Sequence, residues 1–156
     1  MSTNDMVVVM ANGLAGNKII DRENQDFKVF LQALHHIGLD LAKKIIRDGE
    51  GATKFIEITV TGAQKISQAK KAGEAIANSN LVKTAAFGGD PNWGRVAAAV
   101  GSLGLNVSEK NLKINFSSFL KREIKIHVDL NLGKARAQVY TCDLSFDYIK
   151  INGKYN

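Results

Sequence analysis

"TKFIEITVTG", Thr53 to Gly62, alternates strictly. Ile56, Ile58 and Val60 share one face, while Phe55, Glu57 and Thr59 share the other, so the stretch predicts a β-strand with one face on a core. Before it, Phe27, Phe30, Leu34, Ile37, Leu41 and Ile45 recur at three- and four-residue spacing. That spacing is one face of a helix. Asp26 is its expected N-cap, Lys43, Lys44 and Arg47 suit its C-terminal dipole, and Gly49 ends it. After the strand, Ser67 to Asn78 reads as a second helix. Its stripe of small residues with Ala69, Ala72 and Ile76 can lie close on a sheet.

Further along, "LVKTAAF" (81–87) reads as a short strand or an extended piece. It leads into "FGGDPNWGR" (87–95), which holds the only proline and the only tryptophan of the chain. Asp90 as N-cap and Pro91 at the first helical position, where a missing N–H costs nothing, predict a helix that continues through Val96, Ala97 and Val100 until Gly101 and Gly104. In the last third, "REIKIHVDLN" places Ile124, Ile126, Val128 and Leu130 on one face. "ARAQVYTC" follows across a turn at Gly133, and "DLSFDYIKIN" closes the pattern. These segments predict an antiparallel hairpin and a further strand. The N-terminal "STNDMVVVMANG" fits either a short helix capped near Asn4 or a buried strand.

Helices early and strands late around one core predict an α/β (α+β) fold. It is a layered sandwich of mostly antiparallel sheet flanked by helices, in a single domain over residues 1–156. No repeat, low-complexity segment or linker interrupts it.

The bulk properties narrow the function. At 156 residues the chain can bury roughly 70% of its unfolded surface. No apolar run approaches the ~18 residues of a membrane span. Met6 to Ala11 follows an aspartate, not a basic segment, and makes a poor signal peptide. With one cysteine, Cys142, no internal disulfide forms, in keeping with a cytoplasmic location. The net charge of +6 is spread from Lys18 to Lys154, its tightest clusters being pairs such as Lys43-Lys44 and Lys121-Arg122. There are no basic runs with interleaved aromatics for stacking on bases. Neither a nucleic acid nor a membrane is expected as a partner.

Four features bear on chemistry. The glycine-fed helix start at 88–91 has N–H groups that suit a carboxylate or phosphate. The residues alone favour a packing junction there, with Trp93 filling the core, and no Walker-type lysine follows the glycines. "DGEGATK" (48–54) sets Glu50 between two glycines on a helix-to-strand connection. Such a carboxylate meets either solvent or a ligand amine, and solvent is the commoner case. His35, His36 and His127 lack metal-ligand spacing, so no metal site is expected; no bound cofactor is expected either. Cys142, with no histidine nearby in sequence, reads as a packed apolar residue.

Taken together, "STND" with "MANG", "DGEGATKFIEITVTGA", "IANSNLVKTAAFGGDPNWGRVAAAVG" and "CDLSFDYIKIN" resemble the ornithine acetyltransferase (glutamate N-acetyltransferase, ArgJ) family. They occur in its order and cover nearly the whole chain. The resemblance is to the C-terminal portion of that family's β chain, an ArgJ-like fold truncated at its N-terminus. It implies an acetyltransferase of arginine biosynthesis that moves acetyl from N-acetylornithine, or from acetyl-CoA in some members, to glutamate. The family's nucleophile is a threonine freed at the N-terminus of the β chain by self-cleavage, assisted by an oxyanion hole from the α chain. By position, Glu50 and Asn152 match substrate-binding residues of the family. The alanine followed by Thr-Met-Leu at the family's cleavage site does not occur here; the only Ala-Thr pair, Ala52-Thr53, begins a strand. The resemblance therefore implies no catalytic nucleophile in this chain. It implies as partners the amino-acid substrates N-acetylornithine, ornithine and glutamate and, if the gene is split, an N-terminal portion (α chain and start of the β chain) supplying the nucleophile. A non-catalytic binding or assembly subunit is the alternative. The family also places a serine or threonine one position beyond Asn156.

Overall fold

A computed structural model describes residues 6–154, and the expected cap near Asn4 lies outside them. The order of elements is α1 (Gln25–Arg47), β1 (Phe55–Ala63), α2 (Ile66–Asn78), α3 (Asn80–Gly88), α4 (Trp93–Gly101), β2 (Lys113–Phe116), β3 (Glu123–Asp129), β4 (Ala135–Cys142) and α5 (Phe146–Asn152). The chain divides into two compact units, 1–42 and 43–156. In the first, residues 6–24 run without helix or strand, so the apolar "MVVVM" is neither of the two elements it fitted. Its residues are exposed.

α1 starts one residue before the expected cap. The Asn24 side-chain oxygen accepts from the Phe27 N–H at 2.9 Å, so Asn24 caps the helix and Asp26 sits in its first turn. No residue of α1 is buried, and Phe30, Leu34, Ile37, Leu41 and Ile45 present their apolar stripe uncovered by the described residues.

The second unit is built on β1. Ile56, Ile58 and Val60 are wholly buried, as their alternation predicts. The four-stranded sheet runs β2-β3-β1-β4. β1 pairs in parallel with β3 and antiparallel with β4, and β2 pairs antiparallel with β3. The sheet is thus mixed, within the layered α+β arrangement expected. The hairpin expected between the strands at 123–130 and 135–142 does not form, because β1 lies between them. The turn crosses the end of β1 instead, where Leu130 N–H donates to Thr61 O at 3.0 Å and Leu132 N–H to Gly62 O at 2.6 Å.

Ile124, Ile126 and Val128 extend the buried face of β1. Against it lie Ala69, Ala72, Gly73 and Ile76 of α2, with Val96 and Val100 of α4. Small residues let α2 approach so closely that a Cβ on Gly73 would stand 2.6 Å from Val139 Cγ2. Gly73→Leu should therefore overpack this contact and cost about 1–3 kcal/mol. A lower urea midpoint at unchanged slope is the expected result.

Two local readings change. "LVKTAAF" is helical, within α3. Ser79 caps it by accepting from Val82 N–H at 3.3 Å, and its apolar residues Val82, Ala85 and Ala86 are buried at helical spacing. Gly89 ends α3 in the left-handed conformation (φ 75°), which glycine adopts without a Cβ penalty. Asp90 and Pro91 then precede α4 without joining it. Asn92 is the cap, accepting from Arg95 N–H at 3.1 Å, because the chain leaving Gly89 is still extended there.

Candidate functional site

Glu50 sits in the turn between α1 and β1, and Asn152 is the last residue of α5. The "DLSFDYIKIN" stretch does not form the expected strand: Ser145 starts a helix by accepting from Tyr148 N–H at 3.1 Å. The helical turn brings Asn152 back over the 48–54 loop. Its amide donates to Glu50 Oε2 at 3.1 Å and to the Tyr148 carbonyl at 3.0 Å. Two exposed side chains 102 positions apart thus share one hydrogen bond. Glu50 keeps its other oxygen for a further donor.

This juxtaposition rests on two residues that the sequence did not single out, Asp143 and Ser145, and on Gly51 beside Glu50. Asp143 is buried, and its Oδ1 accepts from the N–H groups of Thr53 and Lys54, both at 2.9 Å. Its Oδ2 accepts from the Thr53 hydroxyl at 2.5 Å. Ser145, also buried, donates its hydroxyl to the Gly51 carbonyl at 2.5 Å. Gly51 (φ 65°) presses its bare α-carbon on the backbone of Asp147 and Tyr148, where a Cβ has no room. The glycines beside Glu50 therefore serve a close backbone approach at Gly51. A local signal existed for Ser145, a cap-type residue three positions before Tyr148. None existed for Asp143, whose partners stand 89 and 90 positions away.

The other candidates take structural places. Trp93 does not fill the core; it is 38% exposed at the first position of α4. Arg95 ties that helix to α3, donating to the Leu81 carbonyl at 2.8 Å and the Thr84 hydroxyl at 3.2 Å. The "FGGDPNWGR" stretch is thus a helix-to-helix junction. His127 lies on the polar face of β3, its Nε2 at 3.2 Å from the Thr61 hydroxyl, and His35 and His36 are exposed on α1. Cys142 is half-buried. Among the described residues, no group of three or more His, Cys, Asp and Glu side chains is placed to hold a metal ion, and no helix is long and apolar enough to cross a membrane.

The ArgJ family model matches residues 1–120 and 117–156. The arginine biosynthesis bifunctional protein ArgJ of Geobacter sulfurreducens is 45% identical over 176 aligned positions, covering 99% of this chain and 45% of that protein. The corresponding ArgJ 1 of Clostridium acetobutylicum is 41% identical over 178 positions, with 99% and 44% covered. The crystal structure of ArgJ from Bacillus halodurans is similar with a TM-score of 0.90 at 40% identity, over 99% of this chain and 83% of that one. The chain spans less than half the length of the curated relatives it matches. Because 176 aligned positions accommodate 156 residues, about 20 positions of the first relative have no counterpart here. The two matched segments overlap at 117–120, in the connection between β2 and β3. Matched along its whole length, in sequence and in backbone, this chain belongs to the ArgJ family.

Proposed function

We propose that this chain forms part of a cytoplasmic acetyltransferase of arginine biosynthesis. It contributes Glu50 and Asn152 to the amino-acid pocket and works with an N-terminal ArgJ portion that carries the nucleophilic threonine. The observation that carries this reading is the Asn152–Glu50 hydrogen bond. The two residues that the family resemblance assigns to substrate binding, distant in sequence, meet on a loop fastened by Asp143 and Ser145.

The chemistry follows from the side chains. A carboxylate at Glu50 pairs with the ammonium of ornithine or glutamate, and the Asn152 amide, locked onto it, keeps it from swinging into solvent. In the reaction proposed, the partner's threonine hydroxyl attacks the acetyl carbon of N-acetylornithine. The C–N bond breaks and the hydroxyl proton leaves on the ornithine amine. The amine of glutamate then attacks the threonine ester, releasing the hydroxyl and giving N-acetylglutamate. Acetyl-CoA is an alternative donor to the same hydroxyl. The partner is supported by α1, whose apolar stripe from Phe30 to Ile45 is left exposed by the described residues, as a contact face would be.

Mass spectrometry tests the assignment. Incubated with N-acetylornithine, the isolated chain should acquire no acetyl group. Mixed with a polypeptide bearing a relative's Ala-Thr-Met-Leu region, the pair should accumulate acetyl on that threonine and release N-acetylglutamate when glutamate is added. A stable acetyl adduct on Ser2 or Thr3 of the isolated chain would overturn the division of labour. An inactive but tightly bound pair would favour the assembly subunit instead.

A further inference from the structure

A cavity of about 270 Å³ opens where α1 ends and where β1 and β3 begin, lined by Arg47, Ala52, Thr53, Lys54, Phe55, Arg122 and Glu123. Neither Glu50 nor Asn152 lines it. We propose that it is a binding site for a small dianion, closed on one side by the connection between β2 and β3.

That connection fixes the position of Arg122. Ser117 continues the β2–β3 ladder, its N–H donating to Lys125 O at 2.9 Å. Two residues later Phe119 is buried, edge-on to Phe116 at 5.3 Å between ring centres. Its carbonyl accepts from the Lys54 ammonium. Three residues after that anchor, the Arg122 carbonyl accepts from Phe55 N–H at 2.9 Å, at the point where β1 and β3 start in register, Phe55 opposite Glu123. A direct route from a buried phenylalanine to a strand start leaves Arg122 little choice of place.

The charges select the ligand. Arg47 is matched by Glu123 at 3.0 Å and lies over the Phe55 ring at 4.3 Å. Lys54 spends one of its three donors on a carbonyl, which leaves its charge uncompensated. The Arg122 guanidinium makes no hydrogen bond or ion pair with the described residues. Three cations and one carboxylate among the lining residues leave two positive charges, the complement of a dianion, with the guanidinium offering two parallel donors to one oxyanion group. At about 270 Å³ the cavity lies just below the usual range of ligand sites, about 300–1,000 Å³, so the ligand is compact. A phosphate group and a short dicarboxylate share this chemistry.

Calorimetric titration of the purified chain at low ionic strength, with inorganic phosphate and separately with succinate, tests the site. No acetyl transfer enters the readout, so its outcome is independent of the proposed enzyme activity. Saturable one-to-one binding of at least one probe is expected, with none for chloride. Tighter phosphate points to a phosphorylated ligand, tighter succinate to a dicarboxylate. Arg122→Gln should weaken binding about tenfold, the loss of one charge-assisted contact. Lys71→Gln, exposed on α2 and outside the lining, should leave it unchanged. If Arg122→Gln shifts the urea midpoint, Lys54→Gln replaces it with the same expectation. No saturable binding of either probe, or equal affinity in the variant and the parent chain, overturns the proposal.

Discussion

Asp143→Ala should destabilise the chain by about 3 kcal/mol, while Asp143→Asn costs about 1. The two values follow from which oxygen does what. Oδ1 accepts from both backbone N–H groups and Oδ2 from the Thr53 hydroxyl. Alanine removes all three bonds and leaves two amides without an acceptor, and an orphaned buried donor costs about 1–3 kcal/mol. Asparagine keeps an oxygen at the Oδ1 position. Its amide nitrogen then donates to the Thr53 hydroxyl, which can accept as well as donate. With a total stability of about 5–15 kcal/mol typical of a domain, alanine removes a large fraction. Urea unfolding of both variants is the measurement. Equal losses for the two would show that the negative charge, and not the acceptor geometry, fastens the 48–54 loop.

Glu50→Gln has the largest functional effect expected. In the reconstituted pair, kcat/KM should fall about ten- to a hundredfold, since a hydrogen bond to a charged group is worth roughly 1.5–3 kcal/mol. Stability should move by no more than about 0.5 kcal/mol, because Glu50 is exposed in a turn. Glutamine retains an oxygen for the Asn152 amide, so the loop contact survives and only the charge is lost. Glu57→Gln, on the polar face of β1, is the control. Equal small losses in both variants would reduce "DGEGATK" to a turn.

Much of the architecture was legible where a pattern is long or a stripe distinctive. The alternation from Phe55 to Val60 and the small-residue face of α2 each specify one period and one buried side. Short segments misled. Over seven residues a helix and a strand offer similar apolar counts, so α5 was read as extended, and only the Ser145 cap separates the two. The same ambiguity hid α3. The hairpin reading failed for another reason: strand neighbours are set by the whole sheet, and β1 occupies the place that sequence adjacency would have given to β4. At the site, Glu50 stood out through its flanking glycines. Asp143 was silent because its role lies entirely in contacts 89 and 90 positions distant.

The position of β1 also governs the order in which this molecule can come into being. It precedes both its neighbours in sequence: Ile58 waits for Ile126 on one side and Val139 on the other. Pairings that span so much sequence carry a heavy loop-closure cost and slow the search for the native state. A nascent polypeptide emerging from the ribosome therefore holds "FIEITV", a run with high strand propensity, unpaired until β3 and β4 have been synthesised. During that interval the same six residues that organise the finished sheet are its chief aggregation hazard, and chaperone protection matters most there.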